Sequence, residues 1–205
     1  MRHHLERLRL PTFTLATLTL LLALCAFTSA PTFAQAPQSQ QISVTVNGHV
    51  YMVALNQTLK LPTTYADGSK GSVGFTPSVQ PAQATNAAVT PYASGCKTAY
   101  ATQTFYNAFG GVLASFTISQ YWCYDGTDIT YYTSPGDSYS TGYGWSLANA
   151  TVNIVSIYAQ WGHTDGTFRF NGPFGIGCKS GQNTIYWYGT GNFSTQFNQN
   201  SYYGC

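Results

Sequence analysis

From residue 42 onward the chain alternates apolar and polar positions with a period of two, the spacing of a half-buried strand. Ile42, Val44 and Val46 lead into Asn47-Gly48, and Val50 to Leu55 returns. Asn-Gly supplies the two positive-φ positions of a tight turn, so this stretch predicts a β-hairpin. Asp67-Gly68 marks a further turn. From Thr76 to Gly95 the sequence turns to Pro, Ala, Thr and Gln with little apolar periodicity, the composition of a linker or surface loop. Past Gly95 aromatic and β-branched residues stay dense to Cys205. Ile129 to Thr133 and Val152 to Trp161 read as strands, the second with a slip between Ile154 and Val155 that fits a β-bulge. The expected organisation is a leader over 1–34, an N-terminal hairpin segment over 35–75, a linker or surface loop over 76–94 and a core domain over 95–205.

The leader carries Arg2, Arg7 and Arg9 ahead of an apolar stretch from about Phe13 to Phe27, then small residues, the pattern of a cleaved signal peptide. Cleavage is best placed after Ala34, because cuts after Ala30 or Ala36 would each leave proline next. The protein is expected to be secreted; a lipid anchor through Cys25 is the alternative, disfavoured by the bulk of Leu24. No segment reaches the roughly 20 apolar residues of a membrane-spanning helix.

Composition narrows the chemistry. The only glutamate is Glu6, in the leader. The remaining acids are Asp67, Asp125, Asp128, Asp137 and Asp165, balanced by Lys60, Lys70, Lys97, Arg169 and Lys179. Balanced charge lacks the basic footprint of a nucleic-acid binder. Scarce Glu, Lys and Arg beside abundant Tyr, Thr, Ser and Gly favour strands over helices. An all-β, antiparallel β-sandwich of jelly-roll-like character is therefore expected.

Four cysteines follow the leader, at 96, 123, 178 and 205. A hairpin placing Cys96 opposite Cys123 has its centre between Phe109 and Gly110, beside a Gly-Gly pair that could turn with a bulge. One placing Cys178 opposite Cys205 has its centre between Gly191 and Asn192. The favoured pairing of the three available is thus Cys96–Cys123 and Cys178–Cys205, with crossed pairs as the rival. Ligand spacing for zinc is absent. Gly95-Cys96-Lys97 and Gly177-Cys178-Lys179 share an offset that fits either a degenerate duplication or convergence on one clamped hairpin.

Cys96 to Phe170, with Trp122-Cys123-Tyr124-Asp125-Gly126, Gly144-Trp145 and Gly166-Thr167-Phe168, resembles small secreted β-rich bacterial proteins of uncharacterised function. That resemblance spans less than half the chain and implies a secreted β domain without an activity.

Several residues invite functional readings. Asp125-Gly126-Thr127-Asp128 and Asp165-Gly166-Thr167 set carboxylates beside glycine, making Asp125, Asp128 and Asp165 weak calcium candidates, although Asp-Gly is also an ordinary turn pair. His163-Thr164-Asp165 could pair a base with its orienting acid, and Ser146 or Ser156 could serve as nucleophile, but no Gly-x-Ser-x-Gly elbow occurs; a surface histidine in a turn is the simpler reading. Size, tyrosine content and the expected sandwich resemble β-jelly-roll xylan hydrolases and glutamic peptidases, both of which depend on glutamate. An aspartate-dependent glycoside hydrolase is left as a remote alternative. The conspicuous resource is aromatic: Trp122, Trp145, Trp161 and Trp187, together with Tyr131 and Tyr132 and with Tyr139 and Tyr143 in a Gly/Ser surface loop, could stack on sugars or form a protein interface; the tryptophans equally suit a β core, so Tyr131, Tyr132, Tyr139, Tyr143 and Trp145 are the favoured set. The expectation is a non-catalytic protein without cofactor, binding a polysaccharide or cell-surface component. An extracellular matrix protein that self-associates, or an inhibitor-like protein, is the alternative.

Overall fold

The computed structural model describes residues 40–65, 67–81 and 94–199. Among the described residues twelve strands form two sheets. Sheet A contains β1 (Gln41–Val46), β2 (His49–Ala54), β9 (Ser146–Ile157), β10 (Trp161–Asn171), β11 (Cys178–Tyr188) and β12 (Phe193–Gln199), in the order β2-β1-β12-β11-β10-β9. Sheet B contains β3 (Leu59–Thr64), β4 (Lys70–Pro81), β5 (Gly95–Asn107), β6 (Val112–Tyr124) and β7 (Ile129–Tyr132), in that order, with β8 (Gly136–Thr141) also on β6. Every pairing is antiparallel except β1 with β12. The chain is an all-β, mainly antiparallel sandwich, as its composition predicts.

The first hairpin forms as its sequence dictates: Asn47 and Gly48 adopt φ 47° and 84°, and Val46 pairs with His49. Its apolar alternation buries Ile42, Val44 and Val46, and β1 then joins the main sheet through β12. The hairpin segment is thus part of the sandwich.

The expected linker begins inside a strand. Residues 76–81 complete β4 and pair with Thr102 to Lys97 of β5, while 82–93 lie outside the described residues. β3 reaches only to Phe75 along β4, so Pro77 and Pro81 occupy a stretch with one neighbouring strand, where a missing N–H breaks no ladder.

Cys96 lies directly opposite Cys123 and is bonded to it, with S–S 2.08 Å. The turn between β5 and β6 falls at Gly110, φ 84°, and a register shift leaves Leu113 unpaired, the bulge foreseen there. The second hairpin differs. Its pairs, Trp187 with Phe193 through Gly181 with Gln199, are centred on Thr190, so the strand register does not itself set Cys178 opposite Cys205. Cys205 and the leader lie outside the described residues.

β9 runs Ser146–Ile157 and the chain turns at 158–160, so the strand expected over Val152 to Trp161 is two strands and a turn. The slip is real: Thr164 faces Ile154 and His163 faces Ser156, leaving Val155 unpaired. A second shift leaves Ala148 unpaired. β9 is an edge strand, and such bulges blunt an edge against further pairing.

Between the sheets lie Phe75, Phe105, Phe116, Phe168, Phe170 and Phe197, with Trp122 and Trp187, all fully buried. Polar side chains tie one sheet to the other: Asn183 Nδ2 donates to the carbonyls of Ala101 and Phe116 at 3.0 Å each, and Trp122 Nε1 donates to that of Tyr188 at 3.0 Å. The Thr164 hydroxyl donates to Gln120 at 2.8 Å. These bonds fix how β10 and β11 lie over sheet B, and so which of their residues face outward.

Candidate functional site: an aromatic and polar sheet face

Alternate residues of β10 and β11 point away from the core. Four successive cross-strand pairs share that outer face: Trp161 with Tyr188, His163 with Tyr186, Asp165 with Thr184, and Thr167 with Gln182. At a rise of about 3.4 Å per residue they span roughly 20 Å. The inner positions make room for them: Gly162 faces the Trp187 ring, where an added Cβ would come within 2.2 Å of Cζ2.

The aromatic half of this face is stacked. Tyr158, from the turn before β10, lies on Trp161 with centroids 4.8 Å apart and planes at 29°. His163 lies on Tyr186 at 4.7 Å and 21°. Tyr158 is exposed and its neighbours half-buried, so rings are held rigidly yet open to solvent on one side.

The polar half is organised by Asp165. Its Oδ1 receives the Thr184 hydroxyl at 2.6 Å and lies 2.8 Å from His163 Nε2; its Oδ2 receives Gln182 Nε2 at 2.8 Å. Gln182 Oε1 in turn accepts from Asn198 Nδ2 at 3.3 Å. Burial, then the Asp165 carboxylate, then Tyr188 push the Tyr186 phenol above its ordinary value, so it stays a neutral hydrogen-bonding group. The result is a row of fixed rings beside the half-buried Asp165 carboxylate and Gln182 amide, with the Thr184 hydroxyl buried and spent on Asp165.

At the aromatic end the face deepens into a pocket of about 420 Å³ lined by Gly126, Thr127, Gln160, Trp161, Tyr188 and Thr190. One wall is the 125–128 turn. Asp125 Oδ1 accepts the backbone N–H groups of Asp128 (2.8 Å) and Thr127 (2.9 Å), which hold its carboxyl below the usual range. The turn is docked through Gly126 N–H to the Gly189 carbonyl at 3.1 Å, and Gly189 permits this because a Cβ there would meet Thr127 O at 2.2 Å.

The residues singled out from sequence are dispersed. Tyr131 lies on the outer face of sheet B against Tyr121, whereas Tyr132 turns inward to Trp187 at 5.7 Å. Tyr139 is tilted against Phe170 with centroids 6.4 Å apart, Tyr143 is fully exposed, and Trp145 is half-buried near Lys179. Tyr139 belongs to strand β8, which pairs with β6, and not to a surface loop. Of the calcium candidates, Asp165 is engaged by three side chains and Asp125 by backbone, and no metal-holding group of three such residues occurs among the described residues.

His163 and Asp165 lie within β10 and not in a turn. Ser156 is the direct neighbour of His163 across the sheet; Ser146 pairs with Asn171, eight positions farther along β10 or about 26 Å. No hydrogen bond joins Ser156 to His163, whose ring is clamped between Tyr186 and Asp165. The face residues Tyr158, Tyr186 and Tyr188 escape sequence reading, and Trp161 stands there only as one of four tryptophans that could present a ring. The available signal was the two-residue spacing of Trp161, His163 and Asp165 and of Tyr186 and Tyr188.

Comparison with protein-family models, with curated proteins and with solved structures finds no match. What is defined is a class: a disulfide-bonded all-β sandwich carrying an aromatic and polar sheet face. Among the described residues no helix is long and apolar enough to cross a membrane.

Proposed function

We propose that this is an exported, non-catalytic glycan-binding protein whose ligand lies along the outer face of β10 and β11. The observation that carries the reading is the juxtaposition of two stacked ring pairs, Tyr158–Trp161 and His163–Tyr186, with the hydrogen-bonding row around Asp165. Sugars offer apolar C–H faces and a rim of hydroxyls, and this surface offers rings for the first and fixed donors and acceptors for the second. Held in advance by stacking and by the Asp165 bonds, these groups lose little freedom when a ligand settles. The pocket beside Trp161 and Tyr188 offers a starting subsite.

The reading is tested by retention of the full exported chain on insoluble polysaccharides and cell-wall preparations, with size-exclusion chromatography in parallel. Retention lost in Trp161→Ala/Tyr188→Ala supports it. Retention unchanged in that variant but lost in Tyr139→Ala/Tyr143→Ala moves the ligand to the exposed tyrosines near β8. No retention on any polymer, with concentration-dependent assembly, favours the self-associating matrix reading.

A specific observation supports that second reading. β2 is the outer strand of sheet A and carries exposed Val50 and Met52, with neither proline nor a formal charge among His49–Ala54, histidine aside. The other outer strands carry Pro62 and Lys60 in β3, two bulges in β9, only four residues in β7, or the charge of Asp137 in β8. An edge lacking such devices can template pairing with another strand.

A further inference from the structure

On the other sheet, the outer surface of β3 and β4 forms an open cleft of about 810 Å³, bordered by Lys60 and Pro62 of β3, by Lys70 and Ser72 of β4, and by the turn containing Asn107 and Phe109. Lys60 and Thr64 sit on the same face of β3, and Lys70 pairs directly with Thr64. The two lysine backbones are therefore about 14 Å apart at opposite ends of the cleft. Pro62 pairs with Ser72 between them and forms the floor.

Among the described residues no carboxylate borders this cleft. Of the lysines, Lys179 is paired with Asp67 and Lys97 donates to the Gly191 carbonyl. Lys60 is held over the Tyr106 ring at 3.9 Å and Lys70 has neither an ion pair nor a hydrogen bond among the described residues. Asn107 spends its Oδ1 on the N–H groups of Phe109 (3.0 Å) and Gly111 (2.8 Å) while its Nδ2 has no hydrogen-bond partner among the described residues. Phe109 is 98% exposed at the rim. The cleft thus gathers unopposed donors, two of them cationic, beside one open ring.

The geometry points to a second binding site here, for an acidic polysaccharide that places oxyanions against Lys60 and Lys70 and a sugar face against Phe109. Separated cations at the ends of an open cleft suit an extended chain with repeated negative groups better than one small anion. Two lysines beside one open ring fall short of the basic stripe that a polynucleotide binder presents. The site is independent of the face on sheet A and takes a different ligand class.

Calorimetric titration of the full exported chain with an oligogalacturonate, its fully methyl-esterified counterpart and a glycerol-phosphate oligomer tests the assignment. An acidic oligomer should bind, more weakly as salt rises, and the neutral ester should not. Lys60→Met/Lys70→Met, both at exposed positions, should weaken that binding about tenfold or more, a difference of about 1.4 kcal/mol. Preference between carboxylate and phosphate oligomers identifies the oxyanion. Binding of neither, equal binding of the ester, an unaffected double variant, or equal binding of a single-stranded oligonucleotide overturns the proposal. Trp161→Ala should leave acidic binding unchanged; loss there would place the acidic ligand on sheet A and contradict a separate site.

Discussion

Tyr65 and Lys179 meet at one end of the core, and their titrations act in opposite directions. Lys179 is fully buried, its Nζ 3.6 Å from the Tyr65 ring centroid and 3.2 Å from Asp67 Oδ2. Burial pulls its pKa below 10.5, with Asp67 opposing. In the window just below 10.5 the unfolded chain holds this proton more tightly, so rising pH relieves a cost. Burial pushes the Tyr65 phenol from 10.0 up to about 12, and its hydroxyl donates to the carbonyls of Ser72 and Tyr106. Between pH 10 and 12 the folded chain keeps a proton that the unfolded chain releases, so that stabilisation is lost as pH rises. Urea titrations across this window should show stability falling towards pH 12, and falling less steeply in Tyr65→Phe. Gln103 gives a second expectation at this scale. It is fully buried and neither end of its amide has a hydrogen-bond partner among the described residues. Gln103→Met keeps the shape and removes the unpaired amide, and should stabilise the fold by about 1–3 kcal/mol in a denaturant titration.

Among the elements, those built by local chemistry were legible. Asn47-Gly48 announced its hairpin, the Cys96–Cys123 register followed from symmetry about the Gly-Gly turn, and the broken alternation at Ile154-Val155 marked a bulge. Elements defined by distant partners were not. β8 is exposed at all six positions and has Tyr139 as its one large apolar residue, so it has no alternation to read, and it is a strand because β6 offers it an edge. The last part of β4 reads as linker because prolines are admitted where only β5 is alongside. The parallel pairing of β1 with β12 joins residues some 150 positions apart and leaves no local trace. Cys96→Ser/Cys123→Ser frees a 27-residue loop and should lower stability by about 3 to 4 kcal/mol on the chain-entropy model. Gly162→Ala drives a methyl into the Trp187 ring and should cost about 1–3 kcal/mol, read from the denaturation midpoint.

At the scale of the whole molecule, composition alone pointed to a sandwich, because a chain poor in helix formers and rich in aromatics buries itself most readily between two sheets. It did not show which aromatics would remain outside. Trp122 and Trp187 fill the core whereas Trp161 faces outward, and Trp161 and Trp187 lie on adjacent paired strands with opposite orientations. That distinction depends on register, which a stretch of mixed Trp, Tyr and Thr does not reveal. Register also turns His163 and Asp165, otherwise a turn motif, into the centre of a hydrogen-bonded row. The proposed function requires that this row and the stacked rings beside it act as one glycan-binding face. Amide and indole chemical-shift mapping, with soluble oligomers of whichever polysaccharide retains the protein, tests it most directly. Shifts concentrated at Tyr158, Trp161 including its Nε1–H, His163, Tyr186 and Tyr188 are predicted; shifts confined to Tyr131, Tyr139 and Tyr143, with this face unmoved, would contradict it.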